Sequence, residues 1–469
     1  FCHPLTQEVA YTSQLEGTRA AAHARLAQML EATNPLSGEP SEMAIQIAHH
    51  WRRAAEWARA GRWNLQAVRW AGVRDQNVAR RQAMLAIEHF DRATITPEVC
   101  KGRVAARSAL IRTAQFIEIP REDVDRAYRE GRQWASESGD VLATIELIMS
   151  YGAEQGHRGN AGVAADMARE SLELARKHGA GEFVGRFRLA YLLPFSSTGR
   201  QREGIDLINA TCGDAWLTAP VTIENFSSRG LLALMSCVLG DLRRAKADMD
   251  AALEVSLSGD RAASWMHANL VDYAWFHGDY SDTLNQARTA VLKAEQFGSP
   301  FFRALSARAL ALALILNGDA KSALPFLIDT LPIVRPGGLA HQFEGNHLST
   351  LSWAYLASGD LARAEEVALE AIASAQRSGS RTWESYAWLA LLRLPRERLG
   401  DQRAQEALDH MQQLIDAIGA EGLRPHLLLA KRTWARNDAE RSELRAQALA
   451  AFEKIGADGH VRRMQAEGK

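Results

Sequence analysis

Proline, cysteine and long apolar runs are all scarce in this chain of 469 residues, and each scarcity removes a class of structure. With only 13 prolines, long stretches are free to be helical, because a proline inside a helix removes a hydrogen bond and clashes with the preceding turn. The four cysteines, Cys2, Cys100, Cys212 and Cys237, show no CxxC spacing. They fit reduced, buried thiols far better than a disulfide frame or a zinc site. No apolar run approaches the roughly 18 residues that a membrane span requires, and no charged leader precedes an apolar core, so a soluble, cytoplasmic protein is expected. Neither sign of charge dominates: 55 Lys and Arg against 56 Asp and Glu leave a formal charge of -1. No global field therefore gathers nucleic acid or an anionic membrane, and neither is expected as a partner.

What is abundant is material for amphipathic helices. Ala, Leu, Arg and Glu dominate, hydrophobic residues reach 47%, and few segments read as strands. At this length the chain is either two or three ordinary domains or one extended solenoid. It begins at Phe1 inside what reads as a folded segment, so a piece of a longer protein is expected.

A Gly-containing turn decides for the solenoid. It recurs at Gly159-Asn160, Gly199-Arg200, Gly240-Asp241, Gly278-Asp279, Gly318-Asp319, Gly359-Asp360 and Gly400-Asp401, with glycines 40, 41, 38, 40, 41 and 41 residues apart, and Asn437-Asp438 continues the series. The glycine can take the left-handed conformation that ends one helix, and the Asp can cap the amides that open the next. Small residues stand five and twelve positions after the glycine: Ala164 and Ser171, Ala245 and Ala252, Thr283 and Ala290, Ala323 and Thr330, Ala364 and Ala371. Antiparallel helices approach closely only where one lacks bulk. Between turns the 3.6-residue period is plain, with Leu361, Ala364, Val367, Ala368 and Ala371 on one stripe and Arg363, Glu365, Glu366 and Glu370 opposite. A second set of breaks, Ser258-Gly259-Asp260, Phe297-Gly298-Ser299-Pro300 and Ser378-Gly379-Ser380, separates one helix pair from the next.

A Gly-Asp turn between two helices, with small residues in the second, resembles the tetratricopeptide repeat in its longer form of about 40 residues. The aromatic positions of the first helix are mostly replaced: Tyr355 keeps one, whereas Ala274 and Leu314 stand at the equivalent place. The resemblance implies an all-α, right-handed superhelix of degenerate tetratricopeptide-like helix pairs, about seven or eight of them, over residues 95–469.

Residues 1–94 differ. The run FCHPLTQEVAY, then Arg19, His23 and Leu26, then Ala48-His49-His50-Trp51, resembles the segment after the nucleotide-binding module of signal-transduction ATPases. Two kinds are nearest: bacterial proteins joining a class III nucleotide cyclase, an ATPase and tetratricopeptide repeats, and large ATP-dependent regulators of the LuxR type. The resemblance implies a helical segment closing a winged-helix module, with His3 placed to sense nucleotide phosphates and an upstream ATPase or cyclase domain as partner. ATP or ADP would then serve the longer protein, and no cofactor is expected in this piece.

Catalytic patterns are missing. No GxxxxGK(S/T) loop, HExxH, GxSxG, strand-borne GxGxxG or calcium-loop pattern occurs, so no catalytic residue and no metal ligand is nominated. His49-His50 fails as a metal pair because adjacent helical positions point about 100° apart; a packed, hydrogen-bonded pair is expected. Binding is the better expectation. Aligning each first helix on its glycine turns Trp265, Asp272, Trp275, Arg308, Asn346, Ser349 and Trp353 toward the inner curve, where a protein, peptide or small-molecule signal could be met. The competing reading is that these aromatics fill gaps between repeats, as Tyr273, Phe276, Phe301 and Phe302 are expected to do. The function expected is that of a regulatory sensor within a multidomain nucleotide-dependent signalling protein. The alternatives are a stand-alone repeat scaffold or the sensor of a LuxR-type transcription regulator.

Overall fold

The computed structural model describes residue 9 and residues 11–72, 75–222, 225–256 and 263–467. His3, Cys2 and the Ser258-Gly259-Asp260 break lie outside them. Every regular element among the described residues is helical. Spatial proximity along the backbone divides the chain at Glu154/Gln155 into two compact units; residue 94 falls between the helices Gln76–Arg92 and Pro97–Thr113.

In the unit ending at Glu154, helices pair in sequence: Glu16–Thr33 with Met43–Arg53, Trp57–Ala71 with Gln76–Arg92, and Pro97–Thr113 with Arg121–Ser138. Its packing is closest where glycine replaces a side chain. A Cβ on Gly61 or Gly102 would fall 2.8 Å or 2.2 Å from the ring of Phe90, so this ring is clamped between two helix backbones. Charges are satisfied within the packing: the buried Arg107 guanidinium donates to Asp91 at 2.9 Å and to Glu130 at 2.7 Å. His50 is hydrogen-bonded, its Nδ1 lying 2.8 Å from Nδ1 of His23, and His23 Nε2 meets the Tyr11 hydroxyl at 2.9 Å.

The unit from Gln155 onward is a right-handed superhelix of tetratricopeptide-like helix pairs. The outer helices include Ala161–Lys177, Gln201–Cys212, Leu242–Ser256, Thr283–Phe297, Ala320–Val334, Leu361–Ser378 and Asp401–Ile418. The inner ones include Arg188–Ser197, Phe226–Leu239, Ala263–His277, Pro300–Leu316, Glu344–Ala357, Arg381–Leu392 and Arg424–Thr433.

The repeat turns form as the sequence predicts. All seven turn glycines have φ between +76° and +89°. The amides of Asn160, Arg200, Asp241, Asp319 and Asp360 donate to carbonyls five residues back at 2.9–3.0 Å, the pattern of a helix closed by a left-handed residue. The carboxylates of Asp241, Asp319 and Asp360 accept from Arg244, Ser322 and Arg363 amides at 3.1, 3.4 and 3.1 Å, and Asn437 caps Glu440 at 2.9 Å. Two turns depart from this. Asp279 accepts from Ser281, because the next helix starts only at Thr283, and Asp401 is already helical behind Gly400 and binds Arg396 instead.

The small residues five and twelve positions after the glycines are all buried, none more than 4% exposed. They form the seam on which each pair closes. Glu365, read as a water-facing residue, is only 14% exposed, since Arg398 and Arg403 of the following repeat reach it at 2.5 and 2.8 Å.

Successive turns of the superhelix touch, which no repeat period announces. His157 Nδ1 meets the Leu339 carbonyl at 3.1 Å, 182 residues away. Gln201 Nε2 donates to Thr382 Oγ1 at 3.0 Å across 181 residues, and His460 donates to the Trp275 carbonyl at 2.9 Å across 185. One superhelical turn therefore takes about four and a half repeats of this 40-residue period. The inner helices converge on an axis filled by side chains, and the inner curve is a narrow lumen instead of a broad groove.

Candidate site on the superhelix axis

Six inner segments, spaced around a full superhelical turn, enclose a pocket with about 670 Å³ of empty space, part of it continuous with solvent. The lining, mostly apolar with a few placed polar groups, is of the kind that receives small ligands or peptide side chains. Leu231, Leu234, Val238, Phe276, Leu305 and Phe343 make most of the wall apolar. One ion pair breaks it: Arg308 Nη2 donates to Asp272 Oδ2 at 2.5 Å, joining neighbouring inner helices. The guanidinium is buried, while the carboxylate keeps about a quarter of its surface exposed.

Three further donors in this wall lack a partner among the described residues: the indole N–H of Trp265, the amide Nδ2 of Asn269 and Nε of Arg308, each on a residue more than nine-tenths buried. An unmatched buried donor costs about 1–3 kcal/mol. On the opposite wall Thr382 donates to the Ser196 carbonyl at 2.7 Å, so that rim is already satisfied. Tyr386 faces Asp272 electrostatically; burial first, and then that negative charge, push its hydroxyl well above the usual phenol range.

The residues nominated from sequence separate into two groups. Trp265, Asp272, Arg308 and Asn346 line the pocket. Trp275, Ser349 and Trp353 stand outside it and are buried. Trp275 stacks on His426 with ring centres 4.4 Å apart and packs at 5.7 Å against both Trp353 and Tyr386. The Ser349 hydroxyl donates to the Gly345 carbonyl of its own helix at 2.7 Å. Trp353 lies under the Arg393 guanidinium, 3.7 Å from the ring centre.

Sequence reasoning passed over Asn269, Thr382, Trp383 and Tyr386, and it assigned the pocket residue Phe276 to packing. Asn269 was within reach, because it precedes Asp272 by three positions and so shares its helix face. Tyr386 was not, since its place beside Trp275 is set by the curvature of the superhelix and not by the repeat period.

Among the described residues, no group of three or more His, Cys, Asp or Glu could hold a metal ion. No described helix is long and apolar enough to cross a membrane. No protein-family model and no curated protein matches the chain. The solved structures to which the chain is similar include two. One is a Rap protein complexed with competence and sporulation factor, at 12% identity and TM-score 0.45, covering 79% of this chain and 99% of that one. The other is the APC/C hetero-tetramer Cut9-Hcn1, at 11% identity and TM-score 0.31, covering 93% of this chain and 98% of that one.

Proposed function

We propose that the unit from Gln155 onward is a recognition scaffold that takes a peptide segment or a small-molecule signal into the axial pocket. The supporting observation is the set of three buried donors without a partner among the described residues, at Trp265, Asn269 and Arg308, all on residues that line a largely apolar pocket. Such a wall selects a ligand with an apolar body and a hydrogen-bond acceptor, because only that combination removes apolar surface from water while satisfying the donors. Asp272, Arg308, Trp265 and Asn346 would touch the ligand. Trp275, Ser349 and Trp353 would hold the inner helices behind it.

The inner helices of different superhelical turns share this one pocket, so a bound ligand would favour one pitch of the superhelix over another. It could shift that equilibrium only by its differential affinity for the two shapes, about 1–3 kcal/mol in typical couplings. A linked output is thus natural to the architecture, though a plain scaffold needs nothing more than the pocket. The narrower reading, in which residues 1–94 pass this change to an ATPase or nucleotide cyclase domain and His3 senses the nucleotide, is supported by the sequence resemblance of that segment alone.

Ala268 lines the pocket and is buried, so Ala268→Leu fills it. In a thermal-shift screen of peptides and carbonyl-bearing amphipathic compounds, hits on the unaltered chain should lose their effect on this variant. Hits that stabilise both proteins equally would place recognition elsewhere. For the linked reading, removing residues 155–469 from a protein that carries such an ATPase or cyclase should change its basal output; an unchanged output removes that reading and leaves the scaffold.

A further inference from the structure

A second cluster lies on the other side of Trp275 from the axial pocket, and it is made of cations and donors without a carboxylate among them. Arg393 is solvent-exposed and stacks over Trp353, its guanidinium making no ion pair or hydrogen bond to any described residue. Its guanidinium is charged at neutral pH. Arg463 stands nearby, 4.2 Å over the Tyr280 ring, with Nη2 donating to the Tyr280 hydroxyl at 3.0 Å and to His460 Nδ1 at 3.3 Å. His460 is thereby fixed as the neutral form that donates through Nε2 to the Trp275 carbonyl.

His426 completes the cluster. It is only 6% exposed, it stacks on Trp275, and its Nε2 has no partner. The indole N–H of Trp353 has none either. The charges that act on His426 are Arg393 and Arg463, both positive, with the neutral His460 ring 5.3 Å away. By contrast Arg462, at the rim, already faces Asp279 at 3.5 Å.

We infer that the cluster of Arg393, Trp353, His426 and Arg463, linked through the Trp275 and His460 rings, is an oxyanion site, receiving a carboxylate or phosphate group carried by a small ligand. Like charges gathered in a partly enclosed space repel one another, and an anion reverses the sign of that interaction. A planar guanidinium held flat on an indole presents its N–H edge for paired donation to two oxygens. The imidazole Nε2 can add a third hydrogen bond once protonated. This site shares no residue with the lining of the axial pocket, so its test leaves Arg308 and Asp272 untouched.

The probes are acetate and inorganic phosphate, titrated into the full chain at constant ionic strength, with indole fluorescence and the His426 ring protons as readouts. Saturable binding of either anion is expected, with the His426 titration moving to higher pH as it binds. Phosphate alone saturating would identify a phosphate ligand, and acetate alone a carboxylate. Arg393→Gln should weaken binding about tenfold or more, as expected for a charge-assisted hydrogen bond, and Arg393→Lys should recover part of it. Both variants should keep native helicity, since Arg393 is exposed. No saturable response to either anion, or equal binding by folded Arg393→Gln, overturns the inference.

Discussion

Gly278 lies directly against the backbone of His460, so that a Cβ on the glycine would fall 2.3 Å from the His460 amide nitrogen. The glycine therefore answers two demands: it closes the Ala263–His277 helix in a left-handed conformation, and it lets the next superhelical turn approach. Gly318 has the same backbone conformation, yet nothing stands within 4 Å of its added Cβ. Both Gly→Ala variants should lose about 1 kcal/mol to left-handed strain. Gly278→Ala should lose about 2 kcal/mol more, because the obstacle is backbone and cannot rotate away. Urea unfolding of the two variants measures the difference, and equal losses would show that the turn-to-turn contact is not tight.

Acid should loosen the superhelix before it protonates most carboxylates. Burial is the main reason that His347 and His460 are both held down to about 4, and each donates Nε2–H to a carbonyl, of Leu327 and Trp275 respectively, at 2.9 Å. The groups facing His347 are Arg308 and Arg335, and those facing His460 are Arg463, His277 and Arg393. With folded values below the unfolded value of about 6.5, the unfolded chain binds more protons in that interval. Their contribution is therefore complete above about pH 6.5 and disappears as the pH falls toward 4. His347→Gln, which keeps a donor for Leu327, should flatten the fall of stability over this window. An unaltered pH profile would exclude His347 as a contributor.

Removing Arg308 and removing Asp272 should not be equivalent. Arg308→Met leaves a partly hydrated carboxylate, whereas Asp272→Asn leaves a buried cation with one neutral partner. Asp272→Asn should cost the more, about 3 kcal/mol against about 2 kcal/mol for Arg308→Met, both below the full cost of breaking a wholly buried pair because Asp272 is partly exposed. The double variant should be less damaged than the sum of the two. Strict additivity in chemical denaturation would mean that the pair is not coupled.

In the amino-terminal unit one carboxylate oxygen joins two helices. Glu31 Oε1 accepts the indole N–H groups of Trp51 at 2.6 Å and Trp63 at 2.5 Å. Glu31→Ala orphans two mostly buried donors and should destabilise that unit by about 2–4 kcal/mol, with Glu31→Gln recovering much of it. Exchange protection of the Trp51 and Trp63 indole protons reports it locally. Protection retained in Glu31→Ala would remove the bridge from the account.

The local grammar of this chain is legible without coordinates. Gly-Asp punctuation, Ala and Thr at fixed offsets and the 3.6-residue period are short-range constraints, and the helices, turns and buried seams follow them residue by residue. Asp272 and Arg308 could be placed on inner helices for the same reason. The pitch of the superhelix could not be read, because it accumulates small rotations at every helix pair until residues some 182 positions apart meet. That closure buries Trp275 and Trp353, brings Tyr386 to the axis and leaves Arg393 facing no carboxylate. Spacing along the chain carries the local grammar, whereas the axial pocket and the cationic cluster arise only where separate turns converge.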